Sequence, residues 1–389
     1  EITPHRIDRI LSEYKEQGCG GVFIHPRLGL ITEYLSPTWN EMVKYTVDKG
    51  RDLGLEVWLY DENSYPSGFA GGHVPREMPE AFNQGQGLKP TAADTMPADV
   101  SKYFVIVAEE DGKFENVTDR AASMAGRPGR FYLYEKTFYQ PSPWYAGGPY
   151  VDLLAHGVTD KFMEITMQGY EKTFGGDLKG NVKGVFTDEP EIVSPGGVRW
   201  TPDLFDVFRS EYGYDLSDCL PQLHEEIGDW RKVRHDYFQL LNRLFVERWA
   251  RPWYDYCAGK GISWTGHYWE HNWPLVTGVT DNMSMAAWQQ VPGIDMLFNQ
   301  FNEKSTGAQF GNIRSVKEVR SIANQLGRRR VLSETYGGGG WNVTFKDMKR
   351  LCDWQMVLGV NLVNQHVGHM SLDLSLIHIS EPTRLLSIS

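Results

Sequence analysis

The sequence predicts an α/β protein, a (β/α)8 barrel of the TIM type with a small antiparallel β insertion after its second strand. Three observations predict it. Helices that open on Ser-Pro or Thr-Pro alternate with short, near-continuous apolar runs, the pattern of strands in a parallel sheet buried on both faces. Polar residues follow most of these runs directly, as they do where a barrel carries its site. Residues from about 75 to 147 break the rhythm with hairpin signals.

Taken in order, Thr3-Pro4 supplies an N-cap and a proline at the first helical position, Ile7, Ile10, Leu11 and Tyr14 make the apolar stripe, and Gly18 closes the helix. Gly21–Ile24 is the first strand. Ser36-Pro37 opens a helix that ends at Gly54, and Leu55–Tyr60 is the second strand. In the insertion, Tyr103–Val107 and Phe131–Tyr134 read as strands and Asp111-Gly112 as a turn. The third barrel strand is expected at Tyr150–Leu154, ahead of a helix over Thr159–Phe174, and the fourth at Val182–Thr187. Thr201-Pro202 opens a helix ending near Gly213. The remaining strands are expected at Ile262–Thr265, Ile294–Phe298, Arg330–Ser333 and Val360–Val363. The domain reading is one barrel over 1–373 with 75–147 as an inserted β-containing subdomain. A doubly wound sheet is the alternative, but no GxGxxG follows the first strand to mark a dinucleotide site.

Composition narrows the function. A net charge of −11 repels phosphate backbones, so nucleic acid is not an expected partner. No membrane span or signal peptide is visible, and the four scattered cysteines form no CxxC pair. Aromatic residues make up 13% of the chain, many beside Gly, Pro or His, which suits a wet cleft for ligands with an apolar face and a polar edge. A chain opening on Glu1 is expected to begin inside a longer protein. Leu374–Arg384, LSLIHISEPTR, resembles the translation of a transposon-end sequencing adapter, so 374–389 reads as a non-native tail in which His378, Glu381 and Arg384 have no role.

The residues after each apolar run are the candidate site: His25 and Arg27, Asp61 and Glu62, Asp188 with Glu189 and Glu191, His267 with Trp269, Glu270 and His271, Asn299 and Gln300, Glu334 with Tyr336 and the glycines up to Trp341, and Asn364, Gln365 and His366. Hydrolysis of an acetal needs a carboxylic acid to protonate the departing oxygen and a carboxylate opposite it. Glu189 and Glu334, on different strands, fit those roles. On an extended segment Glu189 and Glu191 share a direction while Asp188 points away. Asp61 and Glu62 either hold sugar hydroxyls or pin the Asn63–Gly72 loop. Gly337–Gly340 allow close backbone approach or a lid hinge. His25, His267, His271, His366 and His369 read as hydroxyl-binding or acid-tuning groups in preference to metal ligands. A carbohydrate-binding barrel without turnover and a metal-dependent amidohydrolase are the alternative functions.

GGVFIHPRLGL, VWLYDENSYPSGFAGG, GVFTDEPE, TGHYWEHNWP and LSETYGGGGW together resemble the catalytic barrel of glycoside hydrolases close to family 106, the α-L-rhamnosidases, from about Ile2 to Met370. The resemblance implies Glu189 and Glu334 as the catalytic carboxylates. From their places after the strands, His25, Arg27, Asp61, Glu62, Asp188, His267, Trp269, Glu270, Tyr336, Trp341, Asn364 and His366 are expected around a terminal sugar. The resemblance implies calcium beside the sugar in some relatives and further β-sandwich domains in the parent chain. No cofactor is expected to be required, and a secreted or periplasmic setting is preferred to a cytoplasmic one. Inversion and retention at the anomeric carbon both remain open.

Overall fold

A computed structural model of the protein describes residues 2–366 apart from 28, 273–274, 299–305 and 341, with the backbone alone for 271 and 306–312. Trp341, Asn299, Gln300, His369 and the expected tail 374–389 therefore lie outside the described residues. In chain order, the described strands are β1 (Gly21–Ile24), β2 (Glu56–Tyr60), β3 (Gly87–Thr95), β4 (Val105–Glu110), β5 (Lys113–Asn116), β6 (Pro128–Thr137), β7 (Gly184–Asp188), β8 (Val198–Arg199), β9 (Ser263–His267), β10 (Gly293–Met296), β11 (Leu332–Thr335) and β12 (Leu362–Gln365).

Caps set the helix boundaries. The helix Pro37–Leu53 starts at Ser36, whose hydroxyl accepts the Trp39 N–H at 3.2 Å, and stops at Gly54 with φ +66°. The helix expected from Thr201-Pro202 begins later, at Leu204–Tyr212, because the Thr201 hydroxyl is drawn to the Asp152 carboxylate at 2.8 Å.

Strands β1, β2, β7 and β9 form one parallel sheet in that order, and β10, β11 and β12 form a second. The two are tied together. The Val291 N–H donates to the Trp264 carbonyl at 3.1 Å, and Arg330, just ahead of β11, pairs with Glu56 of β2 at 2.7 Å. Trp58, Tyr60, Phe186, Val291 and Leu332 share one buried apolar cluster with Phe23 and Leu362 against it, so strands of both sheets face a common interior. On their other face Ile294 and Met296 pack against Val316, Val319 and Ile322 of the helix Thr306–Gln325.

Tyr150–Leu154 is not a strand. β2 hydrogen-bonds directly to β7, which leaves no slot between them, and β7 is third in its sheet instead of the expected fourth. The backbone bonds of the segment go elsewhere: the Asp152 N–H donates to the Ala81 carbonyl at 2.7 Å, and the Asp152 carboxylate accepts from Arg199, Thr201 and the Leu154 N–H. Tyr150, Val151, Leu153 and Leu154 are all buried, which is why hydrophobicity alone made the segment look like a strand.

The antiparallel sheet runs β5-β4-β6-β3-β8 around its own core of Met96, Ile106, Val117, Ala121, Phe131 and Leu133. Asp111 (φ +51°) and Gly112 (φ +74°) are the paired left-handed residues of the tight turn joining β4 to β5. Its edge strand β8 comes from Val198–Arg199, beyond the 75–147 bounds.

Candidate active site

Alternation along the strands decides which side chains meet. In β11, Ser333 and Thr335 turn toward the helix Phe345–Leu358, where the Gln355 amide accepts from the Ser333 hydroxyl and donates to the Thr335 hydroxyl at 2.8 Å. Glu334 therefore faces the interior. In β9, Trp264 turns the other way to donate to the Thr187 hydroxyl at 3.1 Å, which leaves His267 on the interior side. Gly266 between them has φ +133°, and a Cβ there would collide with the Thr187 carbonyl.

His267 is the hub. Its Nε2 stands 2.8 Å from Glu334 Oε2 and 3.7 Å from Asp188 Oδ1. Burial favours the neutral ring, yet the hydrogen bond to Glu334 and the charges of Asp188 and Glu334 outweigh it and raise His267 well above 6.5. Burial likewise opposes ionisation of Glu334, but the His267 hydrogen bond and the charges of His366, His267 and Arg27 bring it down to about 2. His366 Nδ1 lies 3.5 Å from the other Glu334 oxygen.

Glu189 is driven in the opposite direction. Burial and the charge of Asp188 carry its carboxyl well above 4.5 against the pull of His267. Its backbone is left-handed, with φ +46°, a conformation of real cost for a residue with a Cβ. That twist corrects the expected alternation: Asp188, Glu189 and His267 bring ligand atoms within 4.8 Å of one another, so Asp188 and Glu189 converge. Glu191 instead lies in the field of Arg199, where burial pushes it up to about 7.

Around this core, the Tyr60 hydroxyl donates to Asp188, and the His25 ring stacks on Tyr60 with centroids 3.5 Å apart. Arg27 stands 5.1 Å over the Tyr65 ring and adds its charge to the field on Asp188 and Glu334. The Trp269 indole donates to the Glu189 carbonyl at 3.3 Å. Asn364 is the register partner of Glu334 on β12.

Four residues expected on the sugar are committed elsewhere. The Glu62 carboxylate accepts the N–H groups of Asn63, Gly68, Phe69, Ala70 and Gly71, so it pins its own loop. Asp61 accepts from the Ser67 hydroxyl at 2.7 Å, and its charge is felt by Tyr170 and Cys257 in the helix layer. Glu270 accepts the N–H groups of Tyr268 and Asp295 and so staples the end of β9 to β10. Tyr336, left-handed at φ +81°, turns away from the interior and donates to the Met348 carbonyl at 3.1 Å. The sequence reading also missed a residue. Asp295, inside β10, is buried on the interior face opposite Glu334 in register, whereas the sequence pattern places the polar end of that run at Asn299 and Gln300. An acid within an otherwise apolar run, Ile294-Asp295-Met296, was the available signal.

Asp188, Glu189 and His267 do not make a calcium cage. Calcium takes about six to eight oxygen ligands, and this group offers two carboxylates beside an imidazolium that repels a cation. What the cluster does provide is two buried carboxyls beside one histidine, Glu189 pushed well above 4.5 and Glu334 held at about 2.

No curated protein matches the chain. Among solved structures, it resembles a rhamnosidase from Novosphingobium sp. PP1Y, at 16% sequence identity and a TM-score of 0.65, over 94% of this chain and 54% of that one. At that identity the likeness is one of fold, and the chain spans about half the length of that protein. The sequence profile of the alpha-L-rhamnosidase family, glycoside hydrolase family 106, matches residues 134–379, more than half of the chain and all of the segment that carries Glu189, His267, Asp295 and Glu334. The chain is a member of that α-L-rhamnosidase family.

Proposed function

We propose that the protein is an exo-acting glycoside hydrolase that releases a terminal α-L-rhamnose from a polysaccharide or glycoconjugate, and that its two parallel sheets belong to the wall of a (β/α)8 barrel with Glu189 and Glu334 at the mouth. The observation that carries this reading is the placement of two buried glutamates from different strands on one histidine, with Glu334 2.8 Å from His267 and Glu189 bringing a ligand atom within 4.8 Å of it, an arrangement that drives the two carboxyls in opposite directions. Glu189, kept protonated, is the general acid: its proton passes to the glycosidic oxygen as the C1–O bond breaks and the bonding pair moves onto that oxygen. Glu334, kept ionised by His267, acts at C1 from the opposite face, either by taking a proton from the attacking water or by attacking the carbon itself. His25, Arg27, Asp188, Trp269, Asn364 and His366 surround the sugar. Family membership and the likeness of fold support the choice of rhamnose. Incubation with 4-nitrophenyl α-L-rhamnopyranoside, followed by proton NMR, tests it. Release of free L-rhamnose is expected, and the first anomer formed reports inversion or retention. Release from other aryl glycosides but not from the rhamnoside would reject the sugar assignment.

A further inference from the structure

The carboxyl groups of the interior cluster are almost all occupied. Glu62 holds its loop, Glu270 holds two backbone N–H groups, Asp188 accepts from Tyr60, and Glu334 is held by His267 and His366. Asp295 differs. It is only 9% exposed, and among the described residues its Oδ1 has no hydrogen-bond partner. Its Cα is the register partner of the Glu334 Cα, and Glu334 is in turn the partner of Asn364, so three polar side chains stand side by side across β10, β11 and β12. Asp61 also carries an unpartnered oxygen, but it faces the helix layer and not this row.

We infer that Asp295 is a ligand of the terminal sugar, its free carboxyl oxygen taking one ring hydroxyl beside Glu334 and so fixing the sugar against the catalytic carboxylate. The inference rests on the reading of the protein as a glycoside hydrolase. The protonation of the row agrees with it. Two adjacent buried carboxyls do not both ionise, and Glu334 holds the local cations. Burial, with the charges of Glu334, Glu270 and Asp188, keeps Asp295 protonated against His267. A neutral carboxyl both donates and accepts, which matches a hydroxyl group.

The test combines variants with altered substrates: kcat/KM of wild type, Asp295→Ala and Asp295→Asn on 4-nitrophenyl α-L-rhamnopyranoside and its 2-, 3- and 4-deoxy analogues. Asp295→Ala is expected to lose about 10- to 100-fold on the parent glycoside and to lose nothing further on the one analogue that lacks the bound hydroxyl. Asp295→Asn, a neutral group with donor and acceptor, is expected to recover most of the activity. Equal losses for Asp295→Ala on all four substrates, or an Asp295→Asn variant as inactive as Asp295→Ala, would overturn the inference. If Asp295→Ala does not fold, Asp295→Ser is read against the same four substrates by the same criteria. A wild type inactive on the parent glycoside would instead remove the reading on which the inference stands.

Discussion

Replacing His267 with Gln keeps a hydrogen-bond donor near Glu334 but removes the positive charge. In the native protein the interior holds Glu334 at about 2, against an ordinary value of 4.5. That gap corresponds to about 3 kcal/mol of preference for the ionised form in the folded protein, and stripping a buried carboxylate of its partner costs a similar about 3–5 kcal/mol. With Arg27 and His366 left in place, a loss of about 3 kcal/mol near neutral pH is expected for His267→Gln. The sign with pH is fixed. A carboxyl whose folded value lies below its unfolded one stabilises fully above 4.5 and loses that contribution as the pH falls toward about 2. The difference between variant and wild type should therefore narrow on acidification across that window, and the acid limb of kcat/KM should move to higher pH in the variant. Urea denaturation at several pH values and a pH–rate profile on an aryl rhamnoside measure both. A variant with unchanged stability and an unmoved acid limb would refute the role given to His267.

Three further outcomes follow from the same geometry. Glu62→Ala strands the N–H groups of Asn63, Gly68, Phe69, Ala70 and Gly71, so a loss above about 4 kcal/mol in urea and faster proteolysis within 63–71 are expected. Gln355→Leu leaves the Thr335 hydroxyl buried without the Gln355 amide and the Ser333 hydroxyl with the Glu334 carbonyl alone, at about 1–3 kcal/mol by the same denaturation assay. Gly337→Ala brings a Cβ to 3.0 Å from the His366 ring, and the overpacking should cost about 1–3 kcal/mol and shift the acid limb of the pH profile upward as His366 moves off Glu334.

Much of this arrangement was legible because it depends on local signals. The caps at Thr3 and Ser36 and the apolar runs from Gly21 to Val363 correspond to helices and parallel strands, since caps and burial on both faces leave direct marks in sequence. Tyr150–Leu154 misled because an irregular segment pinned by Asp152 and Arg199 buries the same apolar side chains as a strand. Glu189 and Glu334 stand out in the sequence because acids directly after apolar runs are conspicuous, and both lie beside His267. The direction of each side chain does not stand out. The left-handed turns at Glu189 and Tyr336 reverse the alternation that sequence reasoning assumes, and the sequence leaves Glu62 open between a sugar and its own loop, a choice that the turn geometry of 63–71 decides. Asp295 was hidden by its position inside a strand.

The central claim is that Glu189 gives a proton and Glu334 must lack one. The most direct test is kcat/KM for Glu189→Gln and Glu334→Gln on two α-L-rhamnosides, one with an activated aryl leaving group and one with an alkyl leaving group. Glu189→Gln should lose most of its activity on the alkyl rhamnoside yet keep much of it on the aryl one, whose leaving group departs with little protonation. Glu334→Gln should lose both, because no leaving group replaces the missing carboxylate. Equal losses on the two substrates for Glu189→Gln, or turnover of either substrate by Glu334→Gln, would contradict the assignment.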